Sequence, residues 1–498
     1  MLCGLKEDFT ANRPCRDCMA TLQQVRQMTQ EDESLLRTPE QHEEQVAEIE
    51  EAEGREKEQL FKVDPTRSAP HDIVHDHLLG DLILTLQLLM QKVVLKKLPL
   101  SVINDRIQNF DYGYNELSSK PSTIKSQHLV PGNNMHQNAS QMFLLAFIIP
   151  FVVQDVIEEN CPYFENYSQL LEIISIIFGT SISTGMLDYL MDITEEYLES
   201  FRDLYKEVNV EDNVSLLRNL IPKQHYSLHH PRNVKDFGPL VAFWCMRMEA
   251  KHQFFKRIVQ TMRNYKNLPF TLSERHQLYQ AWIFQLPLLK RITHGPRRLT
   301  SIHRVDFDEM FPNDLALEIV PWINYDGTKY VFNKCYIPVD YSSEYLPVFA
   351  ELIAIVLTDA LPIFVCKKVS TVCHNLRLMS YEIERSEIYA CYTPENIIGH
   401  NVYHSHKSEG KNFIFIKQCV EVDDVAGQVL AENDLSEPDS HITESESVDQ
   451  QSLPSKSLLS KKSSEHLELS DDSLSSFEES SSRSPQKNTK APLVESKN

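Results

Sequence analysis

The chain has 498 residues, 42% of them hydrophobic, enough to bury a real core and to form two or three domains. Ten scattered cysteines exclude a disulfide scaffold. With thirteen glycines, no Gly-rich phosphate loop and no Gly-x-Ser-x-Gly elbow, a nucleotide-binding fold or a serine hydrolase is not expected. The net charge of −22 argues against nucleic acid until its distribution is resolved.

Residues 31–58 hold twelve acids and three bases, and residues 424–498 hold fifteen acids and seven bases. Residues 247–304 invert the balance, with twelve Lys/Arg and two Glu. That stretch is the electrostatic footprint a nucleic-acid groove needs, and equally what a solvated helix face looks like.

The first fourteen residues carry charges and no apolar block, so no signal peptide is expected. The longest apolar run singled out, "MFLLAFIIPFVV" (142–153), is twelve residues long and contains Pro150. It is too short to span a bilayer and reads as a buried helix. These features predict an intracellular protein, nuclear or cytoplasmic, with reduced thiols and no membrane contact.

In chain order, "ANRPCRDCMA" (11–20) places Cys15 and Cys18 in a Cys-x-x-Cys turn. Residues 31–68 are acidic and Glu/Gln-rich, the pattern of an exposed helix or mobile arm. Residues 69–97 predict a helix with Asp72 as its cap and apolar positions dense enough for burial. A shorter helix is expected at 100–110, a polar loop at 118–138, and further helices at 138–159, 165–178 and 183–207. In the last, Leu187, Leu190, Ile193, Tyr197, Phe201 and Leu204 recur on one face. Helices at 222–235, 237–264 and 271–285 follow, the last with Thr271 and Glu274 as a capping box.

The pattern changes near 300. "LALEIVPWINYDGTKYVFNKCYIPV" alternates around Asp326-Gly327, a hairpin signal, and strands are expected at 349–369 and 386–393. The fold class expected is therefore mainly α with a smaller β module (α+β). A helical domain covers 69–300 and an antiparallel, barrel-like module 301–423. The Ser/acid-rich 424–498 is expected to be a disordered tail.

Two thiolates grip one soft ion, but a closed zinc site needs four ligands. His225 and His229 stand at i and i+4, on one side of a helix, and would complete a Cys₂His₂ set. Rival sets are His71 and His75 with His77, and His400, His404 and His406. Glu249 stands among Arg247, Lys251, Lys256 and Arg257, where a carboxylate makes ordinary ion pairs or, beside phosphates, holds Mg²⁺.

Four motifs in order, "RPCRDC", "HDIVHDHLLG", "HYSLHHPRNVKDFGPL" and "FWCMRMEAKHQFFKR", resemble the transposase of CACTA (En/Spm-type) DNA transposons, from about residue 3 to 290. The resemblance implies an RNase H-like catalytic core in which three acids hold two metal ions, interrupted by a large helical insertion. It implies that residues 1–30 are a remnant of that core, and that the insertion and the core's last helix lie within 69–300. Carried over residue by residue, Cys15, Cys18, His225 and His229 are the zinc ligands, Asp72 and His75 the Asp-x-x-His motif, and Glu249 the third acid. The family's first two acids lie upstream of the Cys pair, where this chain has only fourteen residues. No strand transfer is therefore expected of the chain as written, and Mg²⁺ only if those acids are supplied.

The expectation is a transposase-derived protein with a structural zinc, contacting DNA through Arg247, Lys251, Lys256, Arg257 and Arg263. The alternatives are an interaction protein that binds protein partners through the β module and acidic tail, or an incomplete gene model of an active transposase.

Overall fold

The computed structural model describes residues 12–41, 43, 44, 47, 70–208, 215–262, 265–285, 292–299, 318–325, 327–342, 346–358 and 361–418. All fall within one compact unit, residues 1–430. Most of the acidic 31–68 segment, Arg263 and the whole 424–498 tail lie outside the described residues. The architecture is α+β: a helical body followed by antiparallel strands.

Ten helices matter here: α1 (Leu22–Val25), α2 (Leu82–Lys92), α3 (Leu100–Asn109), α4 (Ala139–Val153), α5 (Pro162–Ile177), α6 (Thr184–Leu204), α7 (Pro222–Tyr226), α8 (His230–Phe237), α9 (Cys245–Met262) and α10 (Leu268–Gln285). Helix α4 is the centre of the body. Every residue from Met142 to Val153 is buried, so it has no polar face to show solvent. Pro150 lacks the N–H that would bond the carbonyl of Ala146, and the Tyr167 hydroxyl donates to that carbonyl instead, at 2.9 Å. Asn138 caps α4 by accepting from the Gln141 N–H. Helix α6 buries Leu187, Leu190, Ile193, Tyr197 and Phe201, the stripe visible in its sequence.

The helix expected over 69–97 is not one continuous α-helix. Val74–Asp81 is π-helical, and the backbone breaks at Leu79 and Gly80 before α2 begins. A Cβ on Gly80 would lie 2.6 Å from Lys223 Cδ and 2.9 Å from the His75 carbonyl oxygen. The side chain of Lys223 crosses this gap and donates to the Leu79 carbonyl at 2.8 Å, so the break supplies an acceptor and the lysine satisfies it.

Val74–Lys96 is the one stretch among the described residues long and apolar enough to cross a membrane, and 67% of its apolar window is buried inside the protein. It is longer than the apolar helix Ala139–Val153.

Three further expectations shift. Helix α9 starts at Cys245, because Gly238 in the left-handed region ends α8 and a short 3₁₀ turn over Leu240–Ala242 follows Pro239. Helix α10 starts at Leu268, and Thr271 bonds back to the Asn267 carbonyl from inside it, so Thr271 is not its cap. Strands appear before residue 301: β1 (Glu207–Val208) and β2 (Ser215–Leu216) pair with each other, β3 (Thr293–His294) and β4 (Arg298–Leu299) pair with later strands, and Arg297 reaches Glu318 at 3.0 Å.

The β part has β5 (Glu318–Val320), β6 (Trp322–Tyr325), β7 (Thr328–Val331), β8 (Tyr336–Tyr341), β9 (Pro347–Leu357), β10 (Ile363–Asn375), β11 (Ser380–Tyr392), β12 (His406–Ser408) and β13 (Lys411–Phe415). Gly327, at φ 88°, turns the β6–β7 hairpin. The main sheet runs β12-β13-β11-β10-β9, and β8 and β5 both pair with β9. Tyr336 on β8 and Tyr403, just before β12, exchange backbone hydrogen bonds of 2.9 and 2.8 Å. That isolated bridge ties β8 to the segment before β12.

Helical body and sheet share a core: Leu378, Met379, Phe413 and Phe415 belong to the same buried cluster as the helices. His406 is buried at this seam, stacked between Phe110 and Phe415. Helices α9 and α10 contrast with the rest. Neither has a buried residue, and they meet through Phe254 with Tyr279 and Phe255 with His276.

Candidate metal centre

The N-terminal segment wraps against the α7–α8 region. Leu220 N donates to Arg26 O at 2.9 Å, and the Tyr226 hydroxyl donates to Pro14 O at 3.0 Å. This brings the Cys-x-x-Cys turn over His225, the fourth residue of α7, and His229, which closes the next 3₁₀ turn. Cys15, Cys18, His225 and His229 are all buried, and their ligand atoms lie within 4.8 Å of one another. Cys18 Sγ is 3.3 Å from His225 Nε2, and His225 Nε2 is 3.3 Å from His229 Nε2. A tetrahedral zinc with usual bond lengths has ligand–ligand edges of roughly 3.3–3.8 Å. Two imidazole nitrogens and a sulfur turned toward one point are lone-pair donors that a single cation at their centre would satisfy together.

The surrounding groups fit that use. Glu31 hydrogen-bonds His229 Nδ1, leaving Nε2 to face the cluster, and Arg232 holds Glu31 at 3.1 Å. A carboxylate behind a ligating imidazole fixes its tautomer and orientation. Arg37 donates to the carbonyls of Cys15 and Cys18 at 3.3 and 3.4 Å, pinning the turn. Asn233, one turn beyond His229, donates to Asp17 at 2.8 Å and to the His229 carbonyl at 2.7 Å. Burial would raise the Asp17 carboxyl, but His71 and His229 outweigh it and hold it down at about 2. Cys18 is held far below the usual thiol range by its hydrogen bond with Cys15 and then by His225, whereas burial pushes Cys15 up.

Behind the cluster runs a chain of buried ionisable side chains. Asp81 meets His77 at 3.0 Å, His77 meets His230 at 3.2 Å, and His230 meets Asp76 at 3.4 Å. Asp76 then faces His71, and His71 faces Asp17, each at 3.6 Å. The π-helical segment sets this chain, since its wider turn points Asp76, His77 and Asp81 inward together.

Among the described residues the rival histidine sets form no ligand group of their own. His71, His75 and His77 face Asp17/Asp76, Asp72 and Asp81 respectively. His404 pairs with Asp111 at 3.1 Å and His406 stacks on phenylalanines; the side chain of His400 lies outside the described ones.

Asp72 and His75 join Cys245 in a second group whose ligand atoms also lie within 4.8 Å. Glu249 is exposed on α9 and belongs to neither group among the described residues. Arg247, Lys251, Lys256 and Arg257 are exposed along the same helix.

Asp17, Asn233 and His230 were missed in the sequence although each neighbours a ligand: Asp17 lies between the cysteines, Asn233 is one turn from His229, and His230 follows it. Glu31, Arg37 and Cys245 carry no local signal, since only the fold brings them in. No known protein family, curated protein or solved structure matches the chain.

Proposed function

We propose that the chain is a transposase-derived protein, of the CACTA type, whose helical body is clasped by a structural zinc and whose α9 helix contacts DNA. The observation that carries the reading is the meeting of Cys18 with His225 across 207 residues. Spacing alone gave no reason for it, and the resemblance to the family did. On this reading the zinc joins the two ends of an insertion into an RNase H-like core, and α9, with Glu249, is the core's last helix. The sulfur and imidazole donors suit zinc better than a hard cation. The cations Arg247, Lys251, Lys256 and Arg257 give the exposed helix its contact with phosphates.

The test is DNA binding by the full chain over a range of salt. Affinity falls steeply as salt rises, and neutralising Lys251, Lys256 and Arg257 together weakens binding and lowers the salt slope. Absence of binding at low salt overturns the DNA reading and leaves the zinc clasp to be judged separately.

A second reading has its own support. Helix α10 exposes Phe270, Leu278, Tyr279, Trp282 and Phe284. Apolar side chains gathered like this suit a protein partner. A partner captured by the full chain, released by Trp282→Ala and indifferent to the cation changes, favours that reading.

A further inference from the structure

Asp72 stands just before the π-helical segment, His75 is the second residue of it, and Cys245 is the first residue of α9. Asp72 Oδ1 accepts from the backbone N–H of Val74 at 3.1 Å and of Cys245 at 3.3 Å. Its other oxygen, Oδ2, lies 2.6 Å from His75 Nδ1. Two backbone donors on one oxygen fix the carboxylate, and the second bond ties α9 to a residue 173 positions earlier. A carboxylate oxygen, an imidazole nitrogen and a thiol sulfur are thereby gathered within 4.8 Å. The group is open: the side chain of His75 is 54% exposed and that of Asp72 28%.

We infer that Asp72, His75 and Cys245 form a second metal site, a three-ligand site open to solvent, for a divalent ion of the zinc type. The Cys245 thiol donates to the Asp72 carboxylate, so thiol and imidazole both point their protons at one oxygen pair, and a cation would replace those protons at the same place. Sulfur and imidazole disfavour Mg²⁺ and Ca²⁺, which take oxygen ligands. Three protein ligands with a fourth position facing water is the arrangement that leaves an ion able to bind solvent or an oxygen anion such as a phosphate. Glu249 lies one helical turn beyond Cys245 on the same face of α9 and sets a negative charge at the rim. The inference does not rest on the DNA reading, and it concerns ligands separate from the Cys₂His₂ cluster.

The probe is cobalt(II), titrated into the metal-free full chain and followed by its thiolate charge-transfer and visible bands. The wild type is expected to take up about two equivalents, and His75→Ala and Cys245→Ser about one, with the far-UV circular dichroism unchanged. His75 is exposed, so His75→Ala carries the test if Cys245→Ser fails to fold. Cobalt added to the full chain with its clasp zinc still bound gives one equivalent in the wild type and none in His75→Ala, which separates failure of the clasp from failure of this site. A single equivalent in the wild type, or two that neither His75→Ala nor Cys245→Ser reduces, overturns the inference.

Discussion

The two metal-ligand clusters sit on neighbouring parts of one helical body and differ in what surrounds them. Cys15, Cys18, His225 and His229 are sealed from solvent, and Glu31, Arg37 and Asn233 position either the ligands or the turn that carries them. Asp72, His75 and Cys245 have one anchored member, the carboxylate, and a largely exposed imidazole. The first arrangement suits a metal that holds chain segments together, and the second a metal that meets something from outside. Burial and the layer of groups behind the ligands, more than the ligand types, separate the two uses.

The largest difference should appear on removing metal. A structural zinc carries roughly 10 kcal/mol or more of folding free energy. Chelation, or Cys15→Ser, is therefore expected to collapse the urea midpoint of the helical body, read by circular dichroism. Superimposable curves with and without chelator would remove the contrast between the clusters.

Next in size is the layer behind the ligands. Glu31→Ala is expected to weaken zinc binding at the buried cluster by roughly 10–100-fold, measured by competition with a coloured chelator. The same change should leave the cobalt equivalent at Asp72, His75 and Cys245 untouched. Equal weakening at both would mean that Glu31 acts on the whole fold.

Acid provides a third separation, because a buried histidine without a metal also makes a protein acid-sensitive. Burial, then His404, hold the His406 imidazole down at about 3. Between that value and the ordinary histidine range near 6.5, the unfolded chain binds the proton and the folded chain does not. Stability is therefore lost as pH falls through this window, by roughly 2 kcal/mol from pH 6.5 to 5 at this one group. His406→Phe should remove about that much of the acid loss in urea titrations at the two pH values. The acid loss that remains includes release of the metal by protonated ligands. An unchanged pH dependence would place the acid sensitivity elsewhere.

The smallest effect tests the open cluster. His75→Ala at an exposed position should change folding stability by no more than about 0.5 kcal/mol while abolishing one cobalt equivalent. A large loss of stability would mean that this cluster, too, holds the fold together.

The sequence exposed different parts of this molecule unequally. Helix α6 was legible because its buried stripe repeats every three or four residues, and the β6–β7 hairpin because Gly327 marks its turn. The π-helical break at Gly80 was not, since it depends on Lys223 reaching across from α7. The buried cluster was legible only as two half-sites, since nothing local in Cys15-x-x-Cys18 or His225-x-x-x-His229 states that they meet. Cys245 was passed over for the same reason, and attention fell on Glu249, four residues on, because a lone acid among cations stands out in a string of letters. Strands β3 and β4 hid inside a basic run whose charge suggested a groove and whose pairing depends on partners 19 to 31 residues away.

The central claim is that a zinc ion clasps Cys15 and Cys18 to His225 and His229. Its most direct test is the native mass of the folded full chain after exposure to a weak chelator. The account predicts one retained zinc per wild-type chain and none in Cys15→Ser or His229→Ala. A wild-type chain that is folded and metal-free under those conditions would contradict it.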